Sequence, residues 1–341
     1  MAGIKKKLNI VVLMGGPSAE HEVSLNTGRM ISQALDKKKY NVKPVAITKE
    51  GNWLLLKEGV KLLVENNRSL SINDSVLARH GVSAIDEIKS KKSADVVFLA
   101  LHGTYGEDGA IQGLLELAGI PYTGSGILAS ALGMDKSMAK KILKREKIPT
   151  PNYFIFTKNN HVSLKKVKFP CVVKPVAQGS SVGVTIVRGP GQLKKAIKNA
   201  LTYGQRVMVE DFIEGREITA TVIGNKKPKA LPLIEIKPKL SSFYNYESKY
   251  ADGGSEHICP AQIPPPVTKR IQELALRAHV TLGCRGVTRT DFILHGSQPY
   301  ALEINTLPGM TSVSLVPQSA ATAGIKFPEL LDKLIELALE K

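Results

Sequence analysis

Cysteine is scarce in this chain and has no pattern. Cys171, Cys259 and Cys284 lie far apart, which argues against a disulfide framework or a cysteine metal site and predicts reduced thiols in a cytoplasmic protein. Aromatics make up only 5% of the residues, with no stacking or zinc motif among them. No apolar run reaches the length needed to cross a bilayer, so no membrane partner is expected. The apolar strand after Lys5, Lys6 and Lys7 is short and lacks a small-residue cleavage site, so no secretory leader is expected either. A P-loop is also missing, because no Gly-Lys-Ser/Thr opens a helix.

What is present is an ordinary globular composition at a length that calls for two or three domains: 341 residues, 43% hydrophobic and 23% charged. The formal net charge of +17 invites a polyanion as partner. The lysines, however, are spread through short clusters (Lys37 to Lys39, Lys140 to Lys144, Lys194 to Lys198), as on a solvated surface. We therefore expect no nucleic-acid partner.

Leu8 to Met14 is a short apolar run ending in Gly15-Gly16, and Val23, Met30, Ile31, Ala34 and Leu35 then recur at helical spacing. Strand, glycine turn and helix follow from that order. Val42 to Ile47 and Val96 to Leu101 read as buried strands, and Ile111 to Leu117 as a helix, so the first part of the chain predicts a small parallel sheet with helices on its faces. The stretch from Gly51 to Lys92 predicts further strands and helices in the same domain. Leu128 to Arg145 reads as one helix. Strands follow at Tyr153 to Phe156, Cys171 to Lys174, Val182 to Val187, Val207 to Phe212, Glu217 to Ile223 and Leu231 to Ile236, with a helix near Gln192 to Leu201. A long loop, a helix over Val267 to Leu282, two further strands and an amphipathic helix over Phe327 to Leu339 complete the chain.

The richest stretch is Tyr300-Ala-Leu-Glu303-Ile-Asn305-Thr-Leu-Pro308-Gly309. Alternation along a strand puts Glu303 and Asn305 on one face, with Leu302 and Ile304 on the other. Arg289-Thr-Asp291 repeats the pattern upstream, so pairing of the two strands would gather Asp291, Glu303 and Asn305 as hard oxygen donors suited to Mg²⁺. A sheet with a solvated polar face is the competing explanation. Lys174 lies on a strand directly before Gln178-Gly-Ser180-Ser181, where glycine and serine backbone can approach phosphate and the lysine supplies charge; a simple hairpin accounts for the loop alone. Glu210-Asp211-Phe212-Ile213 joins two strands and ends in a second acid, Glu217, a combination that can serve a base and a ribose or merely be solvated.

Read in order with Gly15-Gly16-Pro-Ser18-Ala-Glu20-His21-Glu22, Leu101-His102-Gly103, Gly106-Glu-Asp-Gly109, Tyr122-Thr-Gly-Ser-Gly126, Tyr246-Glu-Ser-Lys249-Tyr250 and Asn305-Thr-Leu-Pro-Gly-Met-Thr-Ser312, these pieces make the chain closely resemble the D-alanine–D-alanine ligases of the ATP-grasp superfamily, from Leu8 to the last helix. The resemblance implies an α/β, three-domain ATP-grasp fold: an N-terminal parallel-sheet, Rossmann-like domain over 1–124, a central subdomain over 125–214 and a C-terminal subdomain over 215–341. It implies ATP-dependent joining of two D-alanines through an acyl phosphate for peptidoglycan, in a cytoplasmic homodimer, with Mg²⁺ or Mn²⁺, two ions, as cofactor. ATP contacts are implied for Lys136, Lys174, Ser180, Ser181, Glu210, Phe212, Ile213 and Glu217, and metal ligation for Asp291, Glu303 and Asn305.

Glu20, Ser180 and Tyr250 match a triad around the first D-alanine, Arg289 and Gly309 the oxyanion holders, and His102, Lys249, Ser314 and Leu315 further substrate contacts. Two positions depart from the family pattern. Gln178 stands where an acid is common and Asp211 where the adenine link often has lysine. Ligases that join D-alanine to D-lactate or D-serine are the alternative within the class, and a nucleotide sensor without catalysis is the alternative outside it. Tyr250 favours an amine as second substrate, and the intact Arg289 and metal ligands favour catalysis.

Overall fold

A computed structural model describes residues 6–56, 76–79, 81–90, 94–158, 166–239 and 253–340. The chain forms two compact units, one of Met1–Ile127, Arg285–Val287 and Leu307–Lys341, the other of Leu128–Cys284 and Thr288–Thr306.

In the first unit β1 (Leu8–Gly15) lies parallel to β2 (Tyr40–Ile47) on one side and β5 (Val96–Leu99) on the other, while β3 (Trp53–Leu56) and β4 (Val76–Arg79) extend the sheet antiparallel beyond β2. Ile10 to Met14 are at most 1% exposed, which explains the unbroken apolar run: a parallel strand covered on both faces has no polar side. Helix α1 (His21–Ala34) approaches closely because Gly28 has no side chain; a Cβ there would stand 2.6 Å from Met14. Gly15 and Gly16 turn the chain at φ +88 and +96, and a Cβ on Gly15 would meet the Ile47 carbonyl at 2.3 Å. Ser24 ties the strand ends together by accepting from Gly15 N–H (2.7 Å) and donating to the Ala100 carbonyl (2.7 Å). Chain order reverses between β1 and β5, so the loops leaving their carboxyl ends, which carry Glu20 and His102, flank a topological switch point. Helices α2 (Gly81–Ser90) and α3 (Ala110–Ala118) complete the N-terminal part of this unit.

The second unit contains a four-stranded sheet, β6 (Tyr153–Thr157), β9 (Arg206–Asp211), β7 (Cys171–Pro175) and β8 (Thr185–Val187) in that spatial order, packed on α6 (Pro190–Ala200). Its other sheet runs β13 (Ser255–Ile258), β12 (Ile234–Pro238), β10 (Arg216–Ile223), β14 (Val287–His295), β15 (Gln298–Asn305), with β11 (Lys229–Ala230) paired to β10. A core of Leu143, Ile218, Ala220, Ile271, Phe292 and Ile304 joins this sheet to α4 (Ile127–Met134), α5 (Lys136–Arg145) and α7 (Pro265–Thr281). The α/β class and the N-terminal parallel sheet are thus as expected.

Several local expectations are corrected. The helix read over Leu128 to Arg145 is two helices, because Asp135 takes an extended conformation (φ −84, ψ 93) and its carboxylate accepts from the N–H groups of Ser137 (3.0 Å) and Met138 (3.1 Å), starting α5 afresh at Lys136. The strand read from Val182 begins only at Thr185, since Ser180, Ser181 and Gly183 have positive φ (50, 58 and 72) that no strand tolerates. β13 lies inside the stretch read as a long loop. A helix over Leu315–Thr322 (α8) precedes the last one, Phe327–Leu339 (α9).

Candidate active site

The register of β14 and β15 sets Asp291 directly opposite Glu303 and Arg289 opposite Asn305. A bulge follows Asp291, and it overturns the expected facing of one residue: Ala301 and Ile304 enter the core, while Leu302 lines the same pocket as Glu303. Arg289 grips Asp291 through both fork nitrogens (Nε–Oδ1 2.8 Å, Nη2–Oδ2 2.9 Å), and Thr219 donates to Asp291 Oδ1 at 2.7 Å.

That pocket lies within the second unit, and Lys136, Lys174, Ser181, Glu210, Phe212, Ile213, Glu217, Asp291 and Glu303 all line it. Lys136 stands at the first position of α5, where the Asp135 cap and the Arg206–Asp135 pair (2.5 Å) fix the helix start. Its ammonium donates to the Gln178 carbonyl at 2.7 Å and stands 3.1 Å from the Glu303 carboxylate, so it spans the Gly/Ser loop and the β15 acid. Ser180 and Ser181 hold left-handed backbone conformations that cost L-residues energy, as loops shaped to a ligand often do.

Beneath the loop is a buried ionic cluster. Lys174 Nζ lies 2.6 Å from Glu210 Oε1, Lys140 Nζ lies 2.9 Å from Glu210 Oε2, and Lys140 also donates to Thr150 Oγ1 at 2.7 Å. Burial opposes ionisation of Glu210, but the charges of Lys140 and Lys174 outweigh it and hold the carboxyl below the ordinary range. Burial pushes the Lys140 ammonium down to about 8 against the pull of Glu210.

A second constellation occupies the first unit. Glu20 is buried at the start of α1, and Gly103, at φ +71, lets the His102 loop pass beside it; a Cβ on Gly103 would stand 3.3 Å from Glu20 Oε2. His102 Nε2 pairs with Thr27 Oγ1 (3.1 Å), and its Nδ1 faces Glu107 at 3.8 Å. Glu107 accepts from Gly103 N–H at 3.0 Å; burial, assisted by the charge of Glu20, raises its carboxyl above the ordinary range despite His102. Gly309 approaches the same group, since a Cβ there would lie 3.0 Å from Ser314 Oγ and 3.9 Å from His102 Cε1. Ser314 precedes α8, Leu315 is its buried first residue, and Thr311 N–H donates to Ser314 Oγ at 3.0 Å.

The pocket therefore brings together the expected ATP and metal residues of the second unit except Ser180, which precedes Ser181 in the Gly/Ser loop, and Asn305, two positions after Glu303 on β15; in the first unit Glu20 and His102 lie on the switch-point loops and Gly309 and Ser314 approach them. Lys249 and Tyr250 lie outside the described residues. Sequence reading missed Lys140 and Glu107. The signal for Lys140 was its place one helical turn after Lys136, next to Ala139 and one turn before Leu143, on a face that had to be buried. Glu107 lay inside a quoted motif but carried no pattern of its own.

Comparison with known proteins agrees over the whole length. The family profiles described as D-ala D-ala ligase N-terminus and D-ala D-ala ligase C-terminus match residues 9–125 and 142–336. The D-alanine–D-alanine ligase of Desulforamulus reducens is 46% identical over 98% of this chain and 99% of its own, and that of Carboxydothermus hydrogenoformans 44% over 98% and 99%. Among solved structures, the VanG D-Ala:D-Ser ligase of Enterococcus faecalis superposes with a TM-score of 0.86 at 33% identity, covering 98% of this chain and 100% of that one. The D-alanine–D-alanine ligase of Bacillus anthracis in complex with ATP gives 0.77 at 34% identity, covering 97% of each chain.

Proposed function

The chain belongs to the D-alanine–D-alanine ligase family, and we propose that it joins two D-alanines into D-alanyl-D-alanine with ATP, through an acyl phosphate, supplying peptidoglycan synthesis in the cytoplasm. The observation that supports this reading is the single pocket lined by Lys136, Lys174, the segment Glu210 to Ile213 and the Asp291–Glu303 pair. Three domains bounded at 1–124, 125–214 and 215–341, and a homodimer, belong to the same reading.

ATP lies in the pocket of the second unit. Lys136 and Lys174 attract the phosphates, the backbone of Ser180 and Ser181 covers them, Glu210 to Ile213 meet the base and Glu217 takes a ribose hydroxyl. Asp291, Glu303 and Asn305 offer oxygen donors on neighbouring strand positions, and Lys136 and Arg289 balance the two carboxylates, so the donor set fits Mg²⁺ or Mn²⁺. Two such ions, when bound, neutralise phosphate charge.

By the family pattern, Glu20 holds the ammonium of the first D-alanine, and Ser180 and Tyr250 are the other members of its triad. A carboxylate oxygen of that molecule attacks the γ-phosphorus, the bond from phosphorus to the β-bridging oxygen breaks, and ADP leaves. The amine of the second D-alanine then adds to the acyl carbon, loses a proton, and the bond to the phosphoryl oxygen breaks to release phosphate. Arg289 and the Gly309 N–H stabilise the oxyanion that forms between these events. Ser314, Leu315 and the N-terminus of α8 receive the second carboxylate. By the family pattern His102 is a further substrate contact and Lys249 a contact to the transferred phosphate.

The likeness to a D-Ala:D-Ser ligase supports testing D-serine as second substrate beside D-alanine. Phosphate release with Mg²⁺-ATP and D-alanine, D-serine, D-lactate or L-alanine decides between them. D-alanine alone should support turnover fully. Faster turnover with D-alanine plus D-serine, giving the mixed dipeptide, would replace this reading with the serine ligase.

A further inference from the structure

Lys140 takes no part in the scheme above, yet its ammonium is fully buried and shares a carboxylate with a phosphate-binding lysine. It sits one turn after Lys136 on α5. Lys136 reaches out to the Gly/Ser loop, whereas Lys140 reaches inward to Thr150 Oγ1 (2.7 Å) and Glu210 Oε2 (2.9 Å). The other Glu210 oxygen is 2.6 Å from Lys174 Nζ. Lys174 and Glu210 line the pocket, and Lys140 lies behind them.

Stability does not explain this arrangement, because removing an ammonium from water is costly and an apolar residue packs such a site as well or better. The cluster of two ammoniums and one carboxylate instead leaves one positive charge uncompensated inside the protein, next to a pocket read as a phosphate site. If Glu210 had only Lys174 as partner, both oxygens would converge on that ammonium and neutralise it.

We infer that Lys140 is a positioning residue for the nucleotide: by holding Oε2 of Glu210 it divides the carboxylate between two cations and keeps the charge of Lys174 available to phosphate oxygens. This rests on the reading of the pocket as the ATP site. The groups facing Lys140 are Thr150, Glu210 of β9, Lys174 of β7, the Tyr153 ring of β6 at 6.0 Å and, at longer range, Glu303 of β15. With its pKa at about 8, Lys140 carries its charge at neutral pH.

The test is calorimetric titration of Mg²⁺-ADP into the full-length chain and its Lys140→Met, Lys174→Met and doubly substituted variants, with steady-state kinetics on the same proteins. Lys140→Met should weaken ADP binding and raise KM for ATP roughly tenfold or more, the size expected when a buried charge partner is lost, while KM for D-alanine stays unchanged. In the Lys174→Met background the same substitution should cost far less, because its effect runs through Lys174. A lowered melting temperature with unchanged ADP affinity, or losses that simply add, would overturn the inference. No ADP binding by the unaltered chain would instead overturn the reading of the pocket. Should Lys140→Met not fold, the unaltered chain still reports: ADP affinity should hold up to pH 8 and decline above it, and a flat profile to pH 9 would contradict the role.

Discussion

Asp291 stands directly across from Glu303 on adjacent antiparallel strands, and each carboxylate already has a cation beside it, Arg289 for the first and Lys136 for the second. The strand pair thus brings two acids together without leaving either uncompensated. A divalent ion would find oxygen donors on both sides and would complete the charge balance when phosphates draw the lysine away.

Glu303→Gln keeps the size and one acceptor oxygen but removes a charge from that pair. We expect metal affinity or turnover to fall about 10- to 100-fold, with partial recovery at high Mg²⁺. Activity measured against Mg²⁺ concentration checks this, and an unshifted metal curve would remove Glu303 from the ligand set.

Arg289→Ala should act on a different step. It should leave ADP binding within a few-fold of the unaltered chain yet lower dipeptide formation by about 10²- to 10³-fold, as loss of an oxyanion donor does. Titration calorimetry and product analysis on the same variant separate these effects. Loss of nucleotide binding would contradict the assigned role.

Asp135→Ala should loosen the start of α5 and with it Lys136. Loss of the two cap bonds and the Arg206 pair should lower stability by about 1 kcal/mol and raise KM for ATP several-fold. Urea unfolding together with ATP kinetics checks both. Asp135→Asn, which keeps the cap acceptor, should recover most of the stability.

Acid should destabilise the second unit through His279. Its Nε2–H donates to the Gly224 carbonyl (3.1 Å) and its Nδ1 accepts from Thr288 (2.8 Å), while burial lowers the imidazole pKa to about 4. An unfolded histidine titrates near 6.5, so only the unfolded state takes up the proton between those values. The contribution is fully present above pH 6.5 and lost as pH falls toward 4, amounting to roughly 3 kcal/mol. Urea midpoints from pH 7 to 4 should fall less steeply in His279→Gln.

Much of this architecture was legible because period and punctuation agree. The apolar run to Met14 and the glycine pair after it predict β1 and its turn, and alternation around Asp291 predicts the faces of β14. What escaped reading depended on single residues with local geometry. Leu302 changed face through one bulge, and Asp135 split a continuous helical pattern by capping it. Lys140 escaped because lysine is ordinarily a surface residue, and only the tertiary fold reveals the carboxylate that accepts it. The relation of Gly309 to His102 likewise joins residues distant in sequence through glycine approaches that no periodicity encodes.

In the proposed reaction ATP activates the carboxylate of D-alanine before the peptide bond forms. The most direct measurement supplies D-alanine labelled with ¹⁸O in both carboxylate oxygens, together with Mg²⁺-ATP, and determines the mass of the phosphate released. Each phosphate should carry one ¹⁸O, with D-alanyl-D-alanine formed in equal amount. Unlabelled phosphate would mean that water, rather than D-alanine, receives the phosphoryl group, and would contradict the proposed reaction.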